Sequence, residues 1–248
     1  MLIAGIQKEL NNVINTKKAL RPLSLEESRV VRQQAGDGIV PSKLVLTLKC
    51  EDTGEEIVKA RWTARGDRDP DLFALVREGK TQAPTISSNG RFTVLQTISS
   101  HHFPMELGDV TGAFLEADRL ERKSGKLYMS SPTTHPLPGY HQEQLFEVIK
   151  PIYGFNDSPQ HWFTKFSSTA KSLTWEQSKM DHCVFYLRDG NRQLVGVMGV
   201  HVDDVVLGGR GQLYESSVEQ PRSIFPFRKW KRLAGQFCGS FLKQDPET

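Results

Sequence analysis

Long apolar runs, paired cysteines and a secretion signal are all missing from this sequence. No uninterrupted apolar stretch approaches the roughly 20 residues that a membrane-spanning helix needs. The N-terminal stretch carries basic residues and lacks the small-residue cleavage site of a secretory signal. The cysteines are Cys50, Cys183 and Cys238, and their wide spacing and odd number are typical of reduced thiols rather than of a disulfide framework or a zinc site. These absences predict an intracellular protein without a membrane partner.

An excess of one charge is also missing from the chain as a whole, whose formal net charge is +3 over 248 residues. With 38% hydrophobic and 25% charged residues, the composition predicts one large domain or two lobes with a packed core. The exception is the segment from Arg210 to Lys243, which is strongly basic and contains Phe225, Phe227 and Trp230. This pattern favours a polyanionic partner, and a solvated edge of the domain is the alternative.

A cationic strand face is predicted near the N-terminus. The stretches Lys43–Cys50 and Ile57–Arg65 read as two strands of a hairpin. Because side chains alternate between the two faces of a strand, Lys59, Arg61 and Arg65 share one face, while small and aromatic apolar residues share the other. Such a face is typical of solvent exposure, and it also suits phosphate binding.

Three aspartates stand out from their apolar surroundings. Asp203 and Asp204 interrupt the apolar run Val200–Leu207, and Asp109 ends the apolar stretch Phe103–Val110. Aspartates are common at turns, so a hairpin tip is one interpretation. However, adjacent like charges close to a buried sheet repel each other unless a cation lies between them. If the strands are neighbours, three carboxylates could hold two magnesium ions about 3.5–4 Å apart for in-line phosphoryl transfer.

Several motifs occur in order and together resemble the reverse transcriptase of Ty1/copia-type LTR retrotransposons, over residues 40 to 245. They are Asp109-x-x-x-Ala113-Phe114-Leu, Leu127-Tyr-Met-x-x-Pro132, Ile152-Tyr-Gly154-Phe-x-x-Ser158-Pro159-x-x-Trp162, Ser178-x-x-Asp181-x-Cys183-Val-Phe185 and Val202-Asp203-Asp204. Upstream, Lys59-Ala-Arg61-x-x-Ala-Arg65-Gly66 and Ala83-Pro84-Thr85 resemble the finger region of the same family.

The resemblance implies an α+β fold with the fingers and palm of a right-hand polymerase. The palm would be an antiparallel sheet backed by helices, and the thumb would be absent. Residues 1–100 would form an N-terminal extension and the fingers, and residues 101–248 the palm, with a finger insertion at about 116–150.

The resemblance also implies roles for individual residues. The catalytic carboxylates would be Asp109, Asp203 and Asp204, which with the Val110 carbonyl would bind two Mg²⁺ ions, or Mn²⁺ in their place. Phe114 would be the steric gate against a 2′-hydroxyl. The residues implied to bind the nucleotide are Lys59, Arg61, Arg65, Phe114, Tyr153, Gly154, Ser158 and Pro159. Those implied to contact nucleic acid are His201, Arg228, Lys229, Lys231 and Arg232.

The implied function is RNA-directed DNA polymerisation on an RNA template with a DNA primer and deoxynucleoside triphosphates. The implied partner is the remainder of a retrotransposon polyprotein, in cytoplasmic virus-like particles or in the nucleus. His201 departs from the family, which usually has tyrosine there, and the smaller imidazole ring would change how the primer end is positioned. Two alternatives remain: a non-catalytic domain that binds nucleic acid, and a metal-dependent nuclease that uses the same carboxylates.

Overall fold

The computed structural model describes residues 1–35, 38–50, 54–228 and 230–245. The chain divides into two compact units, one made of residues 1–82 and 117–161, the other of residues 83–116 and 162–248. The helices are α1 (Leu2–Leu10), α2 (Leu25–Ala35), α3 (Leu72–Arg77), α4 (Ser88–Ser100), α5 (Ser158–Ser172) and α6 (Gln212–Ile224). Among the described residues, no helix is long and apolar enough to cross a membrane.

The strands form two sheets and two ribbons. They are β1 (Leu20–Pro22), β2 (Ile39–Val40), β3 (Ser42–Cys50), β4 (Glu56–Ala64), β5 (Met105–Asp109), β6 (Tyr128–Ser130), β7 (Leu145–Val148), β8 (Glu176–Gln177), β9 (Val184–Arg188), β10 (Leu194–His201), β11 (Asp204–Gly209), β12 (Lys231–Arg232), β13 (Ala234–Phe237) and β14 (Ser240–Lys243). The sheet orders are β1-β7-β6-β2 and β12-β5-β11-β10-β9-β8, and the ribbons are β3-β4 and β13-β14. The α+β prediction is confirmed.

The six-stranded sheet of the second unit is antiparallel and is covered on both faces. Alternation along its central strands sends Val200 and Val205 to one face, where they pack with Phe166 of α5. Val197 and Val206 point to the other face, where they pack with α4 residues. The sheet is therefore rigid at its centre, which is the place from which the candidate metal ligands project.

In the first unit, the β3-β4 ribbon lies against α1. Gly5 of α1 approaches the Val58 carbonyl so closely that a Cβ at that position would overlap it. The buried Glu9 carboxylate accepts the backbone N–H of Trp62 at 3.0 Å, and the Trp62 indole donates to Ser42 Oγ at 2.8 Å. The predicted hairpin and its apolar face are confirmed, because Ala60, Trp62 and Ala64 are all buried.

The chain passes from one unit to the other after residues 82, 116 and 161. Two local details differ from the sequence predictions. Helical spacing over Arg91–Ser100 predicts that Phe92 faces inward, but Phe92 is 60% exposed, because α4 turns Val94 and Ile98 to the sheet. The polar composition from Gly66 to Gly79 predicts an irregular segment, but this stretch contains the short helix α3.

Candidate active site

The three aspartates meet because of the register of the six-stranded sheet. Strands β10 and β11 form a hairpin in which His201 pairs with Asp204, leaving Val202 and Asp203 as its two-residue turn. Strand β11 pairs with β5 so that Asp204 lies opposite Asp109. Carboxylate oxygens of Asp109, Asp203 and Asp204 all lie within 4.8 Å of one another. The predicted convergence of these residues on adjacent strands is confirmed.

Burial and mutual repulsion make this cluster electrostatically unfavourable without a cation. Burial raises the pKa of Asp204, and the neighbouring carboxylates of Asp203 and Asp109 raise it further. A backbone hydrogen bond from Cys238 and the nearby His201 partly offset the increase in the pKa. Three carboxylates offer only oxygen ligands, as a divalent hard cation such as Mg²⁺ requires, so these residues fit such an ion.

Removal of one charge from this cluster should not weaken the metal-free fold. Because the pKa of Asp204 is raised in the folded chain, the folded state binds the proton more readily than the unfolded chain does. Stability therefore falls as pH rises through that pKa, and above it the ionised cluster opposes folding. We expect Asp203→Asn, melted in EDTA at neutral pH, to have an unchanged Tm or one raised by up to about 2–4 °C.

Melting curves in EDTA and in Mg²⁺ check this prediction. Mg²⁺ should raise the Tm of the parent more than that of Asp203→Asn, because the variant has lost one ligand. A clearly lowered Tm of the variant in EDTA would mean that Asp203 is a structural turn residue.

Two hydrogen bonds fix the backbone that carries the aspartates. Val202 has a φ of 56°, which is unusual for a β-branched residue and must be held by its surroundings. The indole N–H of Trp162, buried in the second unit, donates to the Val202 carbonyl at 2.6 Å. The Val110 N–H donates to the Asp203 carbonyl at 2.8 Å and so joins the β5 end to the hairpin turn. Sequence reasoning placed Trp162 in a motif but missed this contact, which no local pattern reveals.

We expect Trp162→Phe to disturb the cluster as well as the core. The change keeps an aromatic ring but leaves the Val202 carbonyl without its donor, at a cost of about 1–3 kcal/mol. The strained turn can then relax and shift Asp203. Trp175→Phe is the matched control, because that buried indole donates to the Ser217 carbonyl instead.

The readout for this pair is the increase in Tm that Mg²⁺ produces. Both variants should have a lower Tm than the parent. In Trp162→Phe, Mg²⁺ should raise the Tm much less than it does in the parent, whereas in Trp175→Phe it should raise the Tm as much as in the parent. Equal Mg²⁺ responses in the two variants would show that Trp162 acts only as a core residue.

The basic segment lies beside the same strand end. The Arg228 N–H donates to the Asp109 carbonyl at 2.9 Å, and the Thr111 N–H donates to the Pro226 carbonyl at 2.9 Å. Lys231 and Arg232 form β12, the edge strand next to β5, and both are exposed. The Arg232 guanidinium lies 3.6 Å from the buried Glu106 carboxylate. Lys229, predicted to contact nucleic acid, lies outside the described residues.

His201 lies at the end of β10 and is partly buried. Within the described part of the chain, its Nδ1 atom is buried without a hydrogen-bond partner. The ring therefore neighbours the carboxylate cluster without being fixed there by a bond at Nδ1.

Other residues predicted to bind the nucleotide lie in the first unit, where two separate motifs meet. Lys59 and Arg61 are on β4, and the Arg61 guanidinium lies over the Tyr153 ring, 5.7 Å from its centroid. The Ala64 N–H donates to the Tyr153 carbonyl at 2.8 Å. A Cβ on Gly154, whose φ is 95°, would overlap the Ala64 carbonyl, so only glycine allows this approach.

The remaining predicted residues differ in what their side chains contact. The Arg65 guanidinium forms a two-point hydrogen bond with the Asp67 carboxylate. Ser158 is fully buried and donates to the Ile152 carbonyl at 2.6 Å, and Pro159 stands in the first turn of α5. Phe114 belongs to the second unit, where it packs beside the apolar cluster that contains Val110 and Trp162.

A buried ionic network in the first unit was missed by sequence reasoning. The Arg122 guanidinium donates to both oxygens of Asp157, at 2.6 and 3.0 Å, and to Asp69 Oδ2 at 2.9 Å. These three side chains are at most 3% exposed. Hydrogen bonds from His161 and Arg122 lower the pKa of Asp157 although burial raises it, whereas burial dominates for Asp69 and raises its pKa. The network joins the turn after β4 to the turn before α5.

Comparisons with known proteins give the family. Residues 26–230 match the family described as reverse transcriptase (RNA-dependent DNA polymerase). A curated relative, the retrovirus-related Pol polyprotein from transposon TNT 1-94 of Nicotiana tabacum, is 25% identical over 173 residues. That alignment covers 63% of this chain and 13% of the polyprotein, so the chain corresponds to a small part of the relative.

Two solved structures are similar at low identity. A telomerase from Candida albicans, in complex with a TWJ fragment of telomeric RNA, has a TM-score of 0.49 and 9% identity, covering 97% of this chain and 47% of its own. A foamy viral protease-reverse transcriptase, in complex with double-stranded DNA, has a TM-score of 0.46 and 12% identity, covering 97% of this chain and 34% of its own. The family match spans most of the sequence and agrees with the ordered motifs, so the chain belongs to the reverse transcriptase (RNA-dependent DNA polymerase) family, as a domain of the Ty1/copia type.

Proposed function

We propose that this chain catalyses RNA-directed DNA synthesis as part of a Ty1/copia-type Pol polyprotein. The observation that carries the proposal is that the carboxylates of Asp109, Asp203 and Asp204 converge, with Asp109 and Asp204 on adjacent strands and Asp203 in the hairpin turn beside them. In a reverse transcriptase domain, such a cluster is where a primer 3′-hydroxyl attacks the α-phosphate of a deoxynucleoside triphosphate and pyrophosphate leaves. The proposal also includes the remainder of the polyprotein as a partner of this chain.

The carboxylates would hold two Mg²⁺ ions, with the Val110 carbonyl as a further ligand. When bound, the ions would make the primer hydroxyl more acidic and would neutralise charge on the leaving pyrophosphate. The chain supplies the geometry, because Asp109 and Asp204 stand on rigid strands while Asp203 is held through the Val110 N–H and, by way of Val202, through Trp162. Because the three crowded carboxylates repel one another, their negative charge would favour the binding of metal ions.

Cations and an aromatic side chain would bind the incoming nucleotide. Lys59, Arg61 and Arg65 would contact the triphosphate and offset its charge. The support is that Lys59 and Arg61 share one face of β4 and that Arg61 lies over Tyr153, next to the Gly154 turn. The Arg65 guanidinium would exchange the exposed Asp67 carboxylate for a phosphate. Tyr153, Gly154, Ser158 and Pro159 would shape the nucleotide pocket, and Phe114 would exclude a 2′-hydroxyl.

Basic residues would hold the RNA–DNA hybrid near the carboxylates. Arg228, Lys231 and Arg232 are exposed on the strand edge beside Asp109, which supports this role. Lys229 and His201 belong to the same proposal, His201 as a contact of the primer end. Such contacts are sequence-independent and strongly dependent on salt.

Primer extension on an RNA template tests the proposal. The purified chain, with a labelled DNA primer annealed to RNA, should add deoxynucleotides in Mg²⁺ and none in EDTA. Binding of the hybrid without extension in any divalent ion would favour the non-catalytic alternative. Metal-dependent shortening of either strand would favour the nuclease alternative.

A further inference from the structure

The segment after α6 lies along the edge of β5, and its register changes opposite Asp109. Phe227 pairs with Val110 in an isolated bridge, whereas Lys231 pairs with Leu107 in β12. Between these two pairs the segment has three residues and β5 has two, so the segment carries one extra residue at this point. Such a bulge interrupts the regular ladder of backbone hydrogen bonds. Backbone pairing alone does not fix the register here, so side-chain contacts must contribute.

Trp230 makes such a contact with the buried side of β5. Its indole N–H donates to Glu106 Oε2 at 2.5 Å. Glu106 is 5% exposed, and its other carboxylate oxygen accepts the hydroxyl of Tyr214 in α6 at 3.3 Å. Because side chains alternate along a strand, Glu106 and Asp109 point to opposite faces of the sheet. The bond between Trp230 and Glu106 can therefore influence Asp109 through the backbone of β5.

The Trp230 ring also packs on the strand next to Asp109. A Cβ on Gly108 would lie 2.8 Å from atoms of both the Trp230 and the Phe227 ring, so only glycine leaves room for them. These two rings meet edge to face, with their centroids 5.1 Å apart. The Arg222 guanidinium of α6 lies over the Trp230 ring, 4.7 Å from its centroid. Contacts with β5 and with α6 thus hold the indole in one place.

This anchor determines which backbone group reaches Asp109. The Arg228 N–H donates to the Asp109 carbonyl at 2.9 Å, and that bond requires the present register of the segment. A slip of the segment would remove this donor and would let the end of β5 shift relative to Asp204 on β11. Mg²⁺ demands a nearly ideal arrangement of its oxygen ligands, so a small shift of Asp109 would weaken metal binding.

We propose that Trp230 and Glu106 are positioning residues for Asp109, and that the hydrogen bond between them maintains the metal affinity of the carboxylate cluster. The inference rests on the proposed function, in which Asp109 is a metal ligand. It goes beyond that function because neither Trp230 nor Glu106 belongs to the cluster or to the motifs that resemble the family. Loss of a residue that holds a metal ligand in place typically costs about 10–100-fold in metal affinity or activity.

The test measures binding of Mn²⁺ to the whole chain by electron paramagnetic resonance of the free ion, without primer, template or nucleotide. Trp230→Phe keeps an aromatic ring but removes the N–H donor, and it should weaken Mn²⁺ binding by about tenfold. Glu106→Met should weaken binding as much, because it removes the acceptor. The double variant should lose no more affinity than either single variant, since both changes break the same bond. Glu106→Gln keeps a carbonyl acceptor and should bind Mn²⁺ nearly as well as the parent.

Tyr214→Phe is the matched control, because it removes the other hydrogen bond to the same carboxylate and leaves the Trp230 bond in place. It should lower the Tm, since a buried oxygen loses its donor, but it should not change the affinity for Mn²⁺. The inference is overturned if Tyr214→Phe weakens Mn²⁺ binding as much as Trp230→Phe does. It is also overturned if Trp230→Phe binds Mn²⁺ as tightly as the parent, or if the parent binds no Mn²⁺.

Primer extension separates this inference from the proposed function. At low Mg²⁺, kcat of Trp230→Phe should fall by about tenfold with the KM for the deoxynucleotide unchanged, and added Mg²⁺ should restore much of the rate. A higher KM for the deoxynucleotide with unchanged Mn²⁺ binding would overturn the inference, because Trp230 would then act on the nucleotide site. A parent that binds Mn²⁺ in the manner described but extends no primer would refute the proposed function and leave the positioning role standing.

Discussion

Asp109→Asn should abolish primer extension while the chain remains folded. The substitution keeps the side-chain shape but replaces a charged ligand of the three-carboxylate cluster with a neutral amide. Since metal-assisted phosphoryl transfer depends on this charge, we expect a loss of at least about a thousandfold in rate, or about 4 kcal/mol of transition-state stabilisation. Gel analysis of extended primers over a range of Mg²⁺ and Mn²⁺ concentrations measures the loss.

The control for Asp109→Asn is Glu219→Gln, which removes one negative charge from the exposed side of α6. It should extend primers at the parent rate, and both variants should melt within a few degrees of the parent in EDTA. Retention of a tenth or more of the parent activity by Asp109→Asn would contradict the assignment of this residue as a metal ligand.

Arg122→Met should destabilise the chain more than any surface substitution. The guanidinium is the shared donor for the Asp69 and Asp157 carboxylates, and all three groups are buried. Removal of the cation leaves two buried carboxylates without their shared donor. Breaking a buried ion pair in this way costs about 3–5 kcal/mol of the free energy of unfolding. A cost of this size lowers the urea midpoint clearly in a domain of ordinary stability.

The pH dependence of Arg122→Met separates this cause from a loss of packing. Without the guanidinium, the pKa values of Asp69 and Asp157 should rise, and the folded state then binds protons that the unfolded chain releases. The variant should therefore gain more stability than the parent as pH falls toward 5, because two carboxylates rather than one then titrate with a raised pKa at this network. Arg119→Met is the matched control, because Arg119 is exposed, and it should change stability by less than about 0.5 kcal/mol. Equal losses in the two variants would contradict the role given to the network.

Local sequence patterns predicted the parts of this molecule that depend on neighbouring residues. Alternation located the β3-β4 hairpin and its two faces, and the interruption of apolar strands located Asp109 and the Asp203-Asp204 turn. The meeting of these aspartates followed from the chemistry of a two-metal centre and not from spacing alone. The resemblance to a family supplied the roles of individual residues, which remain predictions.

Contacts between distant segments were beyond the reach of the sequence. Arg122 reads as one more charged residue in a polar stretch, and only the fold shows that it is enclosed with Asp69 and Asp157. The indole bond from Trp162 to Val202 likewise joins residues that no periodicity relates. The inward direction predicted for Phe92 was wrong because a helix face is decided by what it packs against.

The strand order of the six-stranded sheet has a consequence for how the protein folds. Strands β9, β10 and β11 are joined by short turns and can pair early, whereas β5 precedes them by the long excursion of the chain through the first unit. Closing that loop costs entropy before the backbone pairing of β5 with β11 can offset it. We therefore expect β5 to join late, so that the acidic residues are brought together only after the rest of the sheet can oppose their repulsion. A nascent chain would thus have acquired most of its sheet before it could retain a divalent ion.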